Sequence, residues 1–140
     1  MAVKRMFTPD IISSDAFTEM SFPAQVLYFQ INLDADDDGF CDRVNSIRRR
    51  LNIKPAALNE LFERGFLIGF SERQGLVVVK HWRMHNTLRS DRYKVTNYLD
   101  FAKQLVIKPN KSYSLPNVVL FGDDEENSTN DPWSPWFNKW

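Results

Sequence analysis

Residues 43–65 read Arg43-Val44-Asn45-Ser46-Ile47-Arg48-Arg49-Arg50-Leu51-Asn52-Ile53-Lys54-Pro55-Ala56-Ala57-Leu58-Asn59-Glu60-Leu61-Phe62-Glu63-Arg64-Gly65. Val44, Ile47 and Leu51 recur at helical spacing, which predicts a helix over 43–52. Asn52-Ile53-Lys54 makes a short turn. Pro55 then opens a second helix, at a position where a missing N–H does no harm. Leu58, Leu61 and Phe62 give that helix an apolar side, and Gly65 stops it as a C′ residue. Two helices joined by so tight a turn cannot lie flat, so one projects from the body. A projecting helix fits the major groove of duplex DNA.

Directly after Gly65, Phe66-Leu67-Ile68-Gly69-Phe70 reads as an apolar strand and Ser71-Glu72-Arg73-Gln74-Gly75 as a polar turn. Leu76-Val77-Val78-Val79 starts a second strand that runs to Trp82. Helix, turn, helix and hairpin in that order are the plan of a winged helix-turn-helix. The expected fold class is therefore mainly α with a small β-hairpin (α+β). Residues 55–64 are the expected recognition helix, and 71–75 the wing tip.

On the N-terminal side, Lys4 to Phe7 reads as an edge strand or an arm. Ser21 is a helix N-cap with Pro23 in the first turn, and the helix runs to about Asp34. Phe22, Val26, Phe29 and Leu33 form a stripe that Leu27 and Ile31 widen, and a helix so apolar belongs in the centre of a fold. Asp36-Asp37-Asp38-Gly39 turns the chain. On the C-terminal side a helix is expected over 96–106, broken by Lys108-Pro109-Asn110. The domain is expected to cover 1–115. Residues 116–140 read as an acidic, Trp-rich, flexible tail.

The formal net charge is zero, so no global charge argument for nucleic acid holds. The distribution is uneven. Between Phe40 and Val95 there are twelve Lys and Arg against five Asp and Glu, whereas residues 112–140 hold five carboxylates and one Lys. Cys41 is the only cysteine, which excludes an intrachain disulfide. No apolar run suits a signal peptide or a membrane span, so a cytoplasmic protein that meets no membrane is expected.

The candidate DNA contacts are the basic and polar side chains of this central block. Arg48, Arg49 and Arg50 end the first helix of the pair and suit phosphate. Lys54, Asn59 and Arg64 lie on the polar side of the recognition helix, where Asn reads adenine and Lys reaches guanine or phosphate. Glu60 and Glu63 on the same helix oppose phosphate unless they read cytosine or pair with arginines. Arg73 belongs to the wing, and Lys80, Arg83, His85, Asn86, Arg89, Arg92 and Lys94 follow it, interleaved with aromatics as backbone contact and stacking require.

Other chemistry fits poorly. Asp34-Ala35-Asp36-Asp37-Asp38-Gly39 matches the front of a calcium loop, but the position that needs Glu is Asn45. His81 and His85 are four apart, yet a β-branched strand leads into them and no Glu lies between. His85-Asn86 lacks the third histidine of a His-Asn-His nuclease. Neither a phosphate loop nor a serine elbow is present. No catalytic residue, metal or cofactor is expected, and the chain does not read as an enzyme.

Several segments resemble phage replisome organiser proteins. These are Arg5-Met6-Phe7, Asp10-Ile11-Ile12, Asp15-Ala16-Phe17, Gln25-Val26-Leu27-Tyr28-Phe29, Ala35-Asp36-Asp37-Asp38-Gly39-Phe40 and Gly65-Phe66-Leu67-Ile68. The most specific is Val79-Lys80-His81-Trp82-Arg83-Met84-His85-Asn86 with Asp91-Arg92-Tyr93. The resemblance covers about residues 2–115. It implies an N-terminal winged helix akin to that of the bacterial primosomal protein DnaD. It also implies a role in starting phage DNA replication inside a bacterial host cell, by binding origin DNA and helping to recruit a replicative helicase or other replication proteins. Members of that family often continue into a longer C-terminal region, whereas this sequence ends at Trp140.

Two alternatives share the residues. A phage or prophage transcriptional regulator would use the same scaffold on double-stranded DNA. A protein-interaction module would instead use the tail, where Trp133, Trp136, Phe137 and Trp140 suit a partner's apolar groove. The tail is equally able to fold back on the basic face, or to pack on the domain. A homodimer is also open.

Overall fold

The computed structural model describes residues 4–88 and 90–115. Among them the fold is mixed α+β, with seven helices, a three-stranded antiparallel sheet and a two-stranded one. Residues 116–140, the expected tail, lie outside the described residues.

Local chemistry explains the N-terminal elements. Thr8 caps α1 (Pro9–Ile12) and Ser14 caps α2 (Asp15–Thr18). Ser21 caps the long α3 (Phe22–Asp34), its Oγ accepting from the Ala24 N–H. The expected bounds of α3 agree with the observed ones, but its buried side does not follow the expected stripe. Ala24, Leu27, Tyr28, Ile31 and Asn32 face the core, while Phe22, Val26 and Leu33 face outward.

A feature absent from the sequence reading comes next. Phe40–Cys41 forms β1, a strand of two buried residues. It leads into α4 (Val44–Arg50) and α5 (Pro55–Glu63), both of which pack on α3. The hairpin follows as β2 (Leu67–Phe70) and β3 (Arg73–Val79), and β1 pairs with β3 to give the strand order β1-β3-β2.

The hairpin departs from expectation at both ends of its second strand. The tip is Ser71-Glu72, because Phe70 pairs with Arg73. Gly75, read as a turn residue, instead sits within β3 at φ +87, where the register jumps between Gly69↔Val77 and Phe70↔Arg73. A bulge is the other place where positive φ is needed. At the far end β3 stops at Val79, and Trp82–His85 forms the one-turn helix α6.

The expected helix over 96–106 reduces to α7 (Leu99–Ala102), after which β4 (Val106–Ile107) pairs with β5 (Tyr113–Ser114). Val106 and Ile107 are β-branched, and Lys111 at φ +72 turns the chain between the strands. Lys4 to Phe7 is an arm and not a strand. It lies against α6, with the Met6 N–H donating to Asn86 Oδ1 at 2.9 Å. The core between α3, the hairpin and α6 centres on Phe17, Leu27, Tyr28, Ile31, Leu61, Val78, Val79 and Trp82. No described helix is long and apolar enough to cross a membrane.

Candidate nucleic-acid interface

The connection between α4 and α5 is built by its own hydrogen bonds. Leu51 ends α4, and Asn52 takes the left-handed conformation at φ +56. The Asn52 N–H donates to Arg49 O and the Ile53 N–H to Arg48 O, the double closure of a Schellman motif. Asn enters this region more readily than most non-glycine residues. Arg48 locks the turn from outside, its Nη1 donating to Ile53 O at 3.0 Å. Arg48, expected as a phosphate contact, is half-buried and spends one of its N–H donors on this clamp. Arg48→Ala is expected to cost about 1–2 kcal/mol of stability through that lost bond, as measured by urea unfolding.

The next two arginines behave differently. Arg49 and Arg50 are exposed in the last turn of α4, and Lys54 is exposed at the N-cap of α5. None of the three forms an ion pair among the described residues. They bracket one four-residue connection. Beyond Lys54, α5 shows solvent Ala56, Asn59 and Glu63. Glu60 does not face a ligand: its carboxylate accepts from the Ser21 N–H at 2.9 Å and the Ser21 hydroxyl at 2.7 Å. Those two bonds hold it below the usual carboxylate range. They tie α5 to the start of α3 and keep Glu60 ionised, with its carboxylate turned onto Ser21. The α5 C-terminus repeats the Schellman closure, Gly65 taking φ +77 while the Phe66 N–H reaches Leu61 O.

The remaining predicted contacts separate. Arg64 is exposed but lies 3.7 Å from Glu19. Arg73 pairs with Asp42 at 3.7 Å and lies over the Tyr98 ring at 4.9 Å, so the wing's own cation is engaged at its base. The Lys80 side chain is half-buried, and its backbone joins the core, donating to Phe66 O and accepting from Tyr113 N. Arg92 and Lys94 are exposed, on a segment anchored by the Lys94 N–H to Asp37 Oδ2 at 3.1 Å. Arg89 and the tail residues Trp133, Trp136, Phe137 and Trp140 lie outside the described residues.

Arg83, His85 and Asn86, expected on the DNA side, are buried. Arg83 lies near Asp38 and Tyr113, and burial lowers its pKa. Asn86 holds the arm and donates to Trp82 O at 3.3 Å. His85 Nδ1 accepts from the Thr8 N–H at 3.0 Å, so Nε2 carries the proton and donates to the Tyr28 hydroxyl at 2.6 Å. Their polar chemistry satisfies the interior, because each buried donor or acceptor needs a partner.

Burial pulls the His85 pKa down to about 4. The unfolded chain, with an ordinary histidine near 6.5, therefore takes up the proton first as pH falls. The His85 contribution is fully present above about pH 6.5 and is lost as pH falls toward 4, by up to about 3 kcal/mol. His85→Gln removes that dependence. The difference in urea stability between wild type and His85→Gln is expected to shrink steadily over this window. A difference independent of pH would show that His85 titrates normally.

The acidic turn holds the structure's densest polar network, and sequence reading did not find it. Asp36 accepts from the Asp38 and Phe40 N–H groups, both at 3.0 Å, and from the Thr96 hydroxyl at 2.6 Å. Asp37 lies 3.6 Å from Arg5, whose guanidinium also reaches over Trp82. Asp38 accepts from the Tyr93 hydroxyl and the Thr96 N–H, each at 2.8 Å. Burial raises the Asp36 pKa and pushes that of Asp38 up to about 7. All three carboxylates thus draw the arm and the 93–96 segment onto the end of α3. No cluster of potential metal ligands occurs among the described residues.

No protein-family model, curated protein or solved structure matches the chain.

The likeness to replisome organisers thus stands on the quoted residues. Its most specific segment, 79–86, builds the core and the arm's anchor.

Proposed function

We propose that this chain is a winged-helix protein that binds double-stranded DNA and serves the initiation of phage DNA replication. The observation that carries the reading is the α4–α5 connection, with Arg49, Arg50 and Lys54 exposed beside the N-terminal end of α5 and in no ion pair among the described residues. In helix-turn-helix docking the first residues of the second helix meet base edges, and the flanking backbone is held by cations. Ala56 and Asn59 stand where base contact is made, and Asn offers paired bonds to adenine. The order α3, β1, α4, α5, β2, β3, with β1 beside β3 in the sheet, supports the winged-helix reading.

The wing contributes less charge than expected, since Arg73 is held by Asp42 and Glu72 occupies the tip. Affinity then rests on the α4–α5 corner and on Arg92 and Lys94, with modest sequence discrimination. The replication role is supported by the resemblance alone.

The test titrates labelled duplex and single-stranded oligonucleotides of equal length by fluorescence anisotropy. Tighter binding to duplex supports the reading, and equal or absent binding overturns it. Occupancy in infected cells tests the role. Enrichment at the replication origin supports initiation, whereas enrichment confined to promoters would assign the same scaffold to transcription.

A further inference from the structure

α3 presents an apolar stripe that nothing described covers. Phe22 is 80% exposed, Val26 46% and Leu33 58%, and Phe29 is half-buried between them. From Ser21 to Leu33 the helix and its cap carry no charged residue. Scattered exposed apolar residues need no explanation, but an aligned uncharged run of this kind marks a contact surface.

We propose that this stripe is the docking surface for the chain's own C-terminal segment, with Trp133, Trp136, Phe137 and Trp140 covering Phe22, Val26 and Leu33. Three observations select this occupant. Three of the chain's four tryptophans lie in residues 133–140, and the fourth, Trp82, is buried in the core. Trp136, Phe137 and Trp140, which follow Pro135, fall at the i, i+1, i+4 spacing of one apolar helical face, the same apolar and uncharged character as the stripe. The described chain ends at Leu115, packed against the core. The residues from there to Trp133 span up to roughly 60 Å when extended, against a radius of gyration of about 13 Å for a domain of this size. The connection therefore reaches α3 from any exit point. It also carries Asp123, Asp124, Glu125 and Glu126 across the surface on the way.

The experiment uses the full-length chain and its intrinsic tryptophan fluorescence, with acrylamide as quencher. Because Trp82 is buried, the accessible fraction reports on the other three. In the wild type they are expected to be shielded, with blue-shifted emission that is the same across a hundredfold range of protein concentration. In Phe22→Asp/Leu33→Asp three of the four tryptophans should become accessible, and the emission should shift red. Both substitutions fall at exposed positions, and the far-ultraviolet circular dichroism and urea midpoint of the variant check that the domain stays folded. Val26→Gln is a milder second variant and should give an intermediate shift. Tryptophans as accessible in the wild type as in the variants would overturn the proposal. So would shielding that grows with concentration, which would place a second copy on the stripe.

Discussion

Gly39→Ala is expected to cost about 3–5 kcal/mol of stability. Gly39 adopts φ +94, a backbone conformation costly for any residue with a Cβ. The added methyl would also stand 2.7 Å from Trp82 Cγ and 2.8 Å from Trp82 Cβ. Trp82 has no room to retreat. It is buried, and its indole N–H donates to Asp37 O at 2.9 Å. Nor can the backbone shift freely, because Gly39 O accepts from the Val79 N–H and the Gly39 N–H donates to Asp36 O. A small domain has a total stability of about 5–15 kcal/mol, so one methyl group would remove a large share. Urea unfolding at unchanged m-value measures it. A loss below about 1 kcal/mol would show that the contact between the acidic turn and Trp82 is compliant. The site matters beyond stability, since β1 follows directly and α4 continues from β1.

The second large effect concerns binding. Arg49→Ala/Arg50→Ala/Lys54→Ala should weaken duplex affinity on the order of 100-fold at low salt, if each cation contributes about 1 kcal/mol. The three side chains are exposed and form no ion pair among the described residues, so their removal should leave the unfolding midpoint almost unchanged. Arg83→Ala makes the contrasting control. Arg83 is buried in the interior, so this variant should lose stability, while its folded fraction retains wild-type affinity. Anisotropy titrations of both variants separate the two roles. Unchanged affinity in the folded triple variant, with the loss confined to Arg83→Ala, would mean that binding tracks foldedness alone.

The parts of the fold legible in the sequence were those set by local chemistry. The α4–α5 pair follows from Val44, Ile47, Leu58 and Leu61 at helical spacing, with Pro55 and Gly65 as punctuation, and the start of α3 follows from Ser21 and Pro23. Periodicity failed on α3 because the helix is apolar on most sides, so spacing could not choose which side faces inward. It failed again at Gly75, since a bulge and a turn both need positive φ.

The candidate site was half legible. Arg49, Arg50 and Lys54 are on the surface, as their residue types suggest. Arg83, His85 and Asn86 have equally polar side chains, yet they are buried by partners remote in sequence. Met6 and Thr8 reach Asn86 and His85 from the far end of the chain. The acidic turn likewise read only as a turn of the chain, because Arg5, Tyr93 and Thr96 are what hold its carboxylates inward. No local pattern encodes such contacts.

The most direct measurement is the dependence of duplex affinity on salt. Three phosphates neutralised by Arg49, Arg50 and Lys54 should give log affinity falling linearly against log salt with a slope of about −3, steeper if Arg92 and Lys94 join. In the triple alanine variant that slope should flatten by the same amount. A wild-type slope near zero, or one that the triple variant leaves unchanged, would contradict the assignment of this corner to DNA.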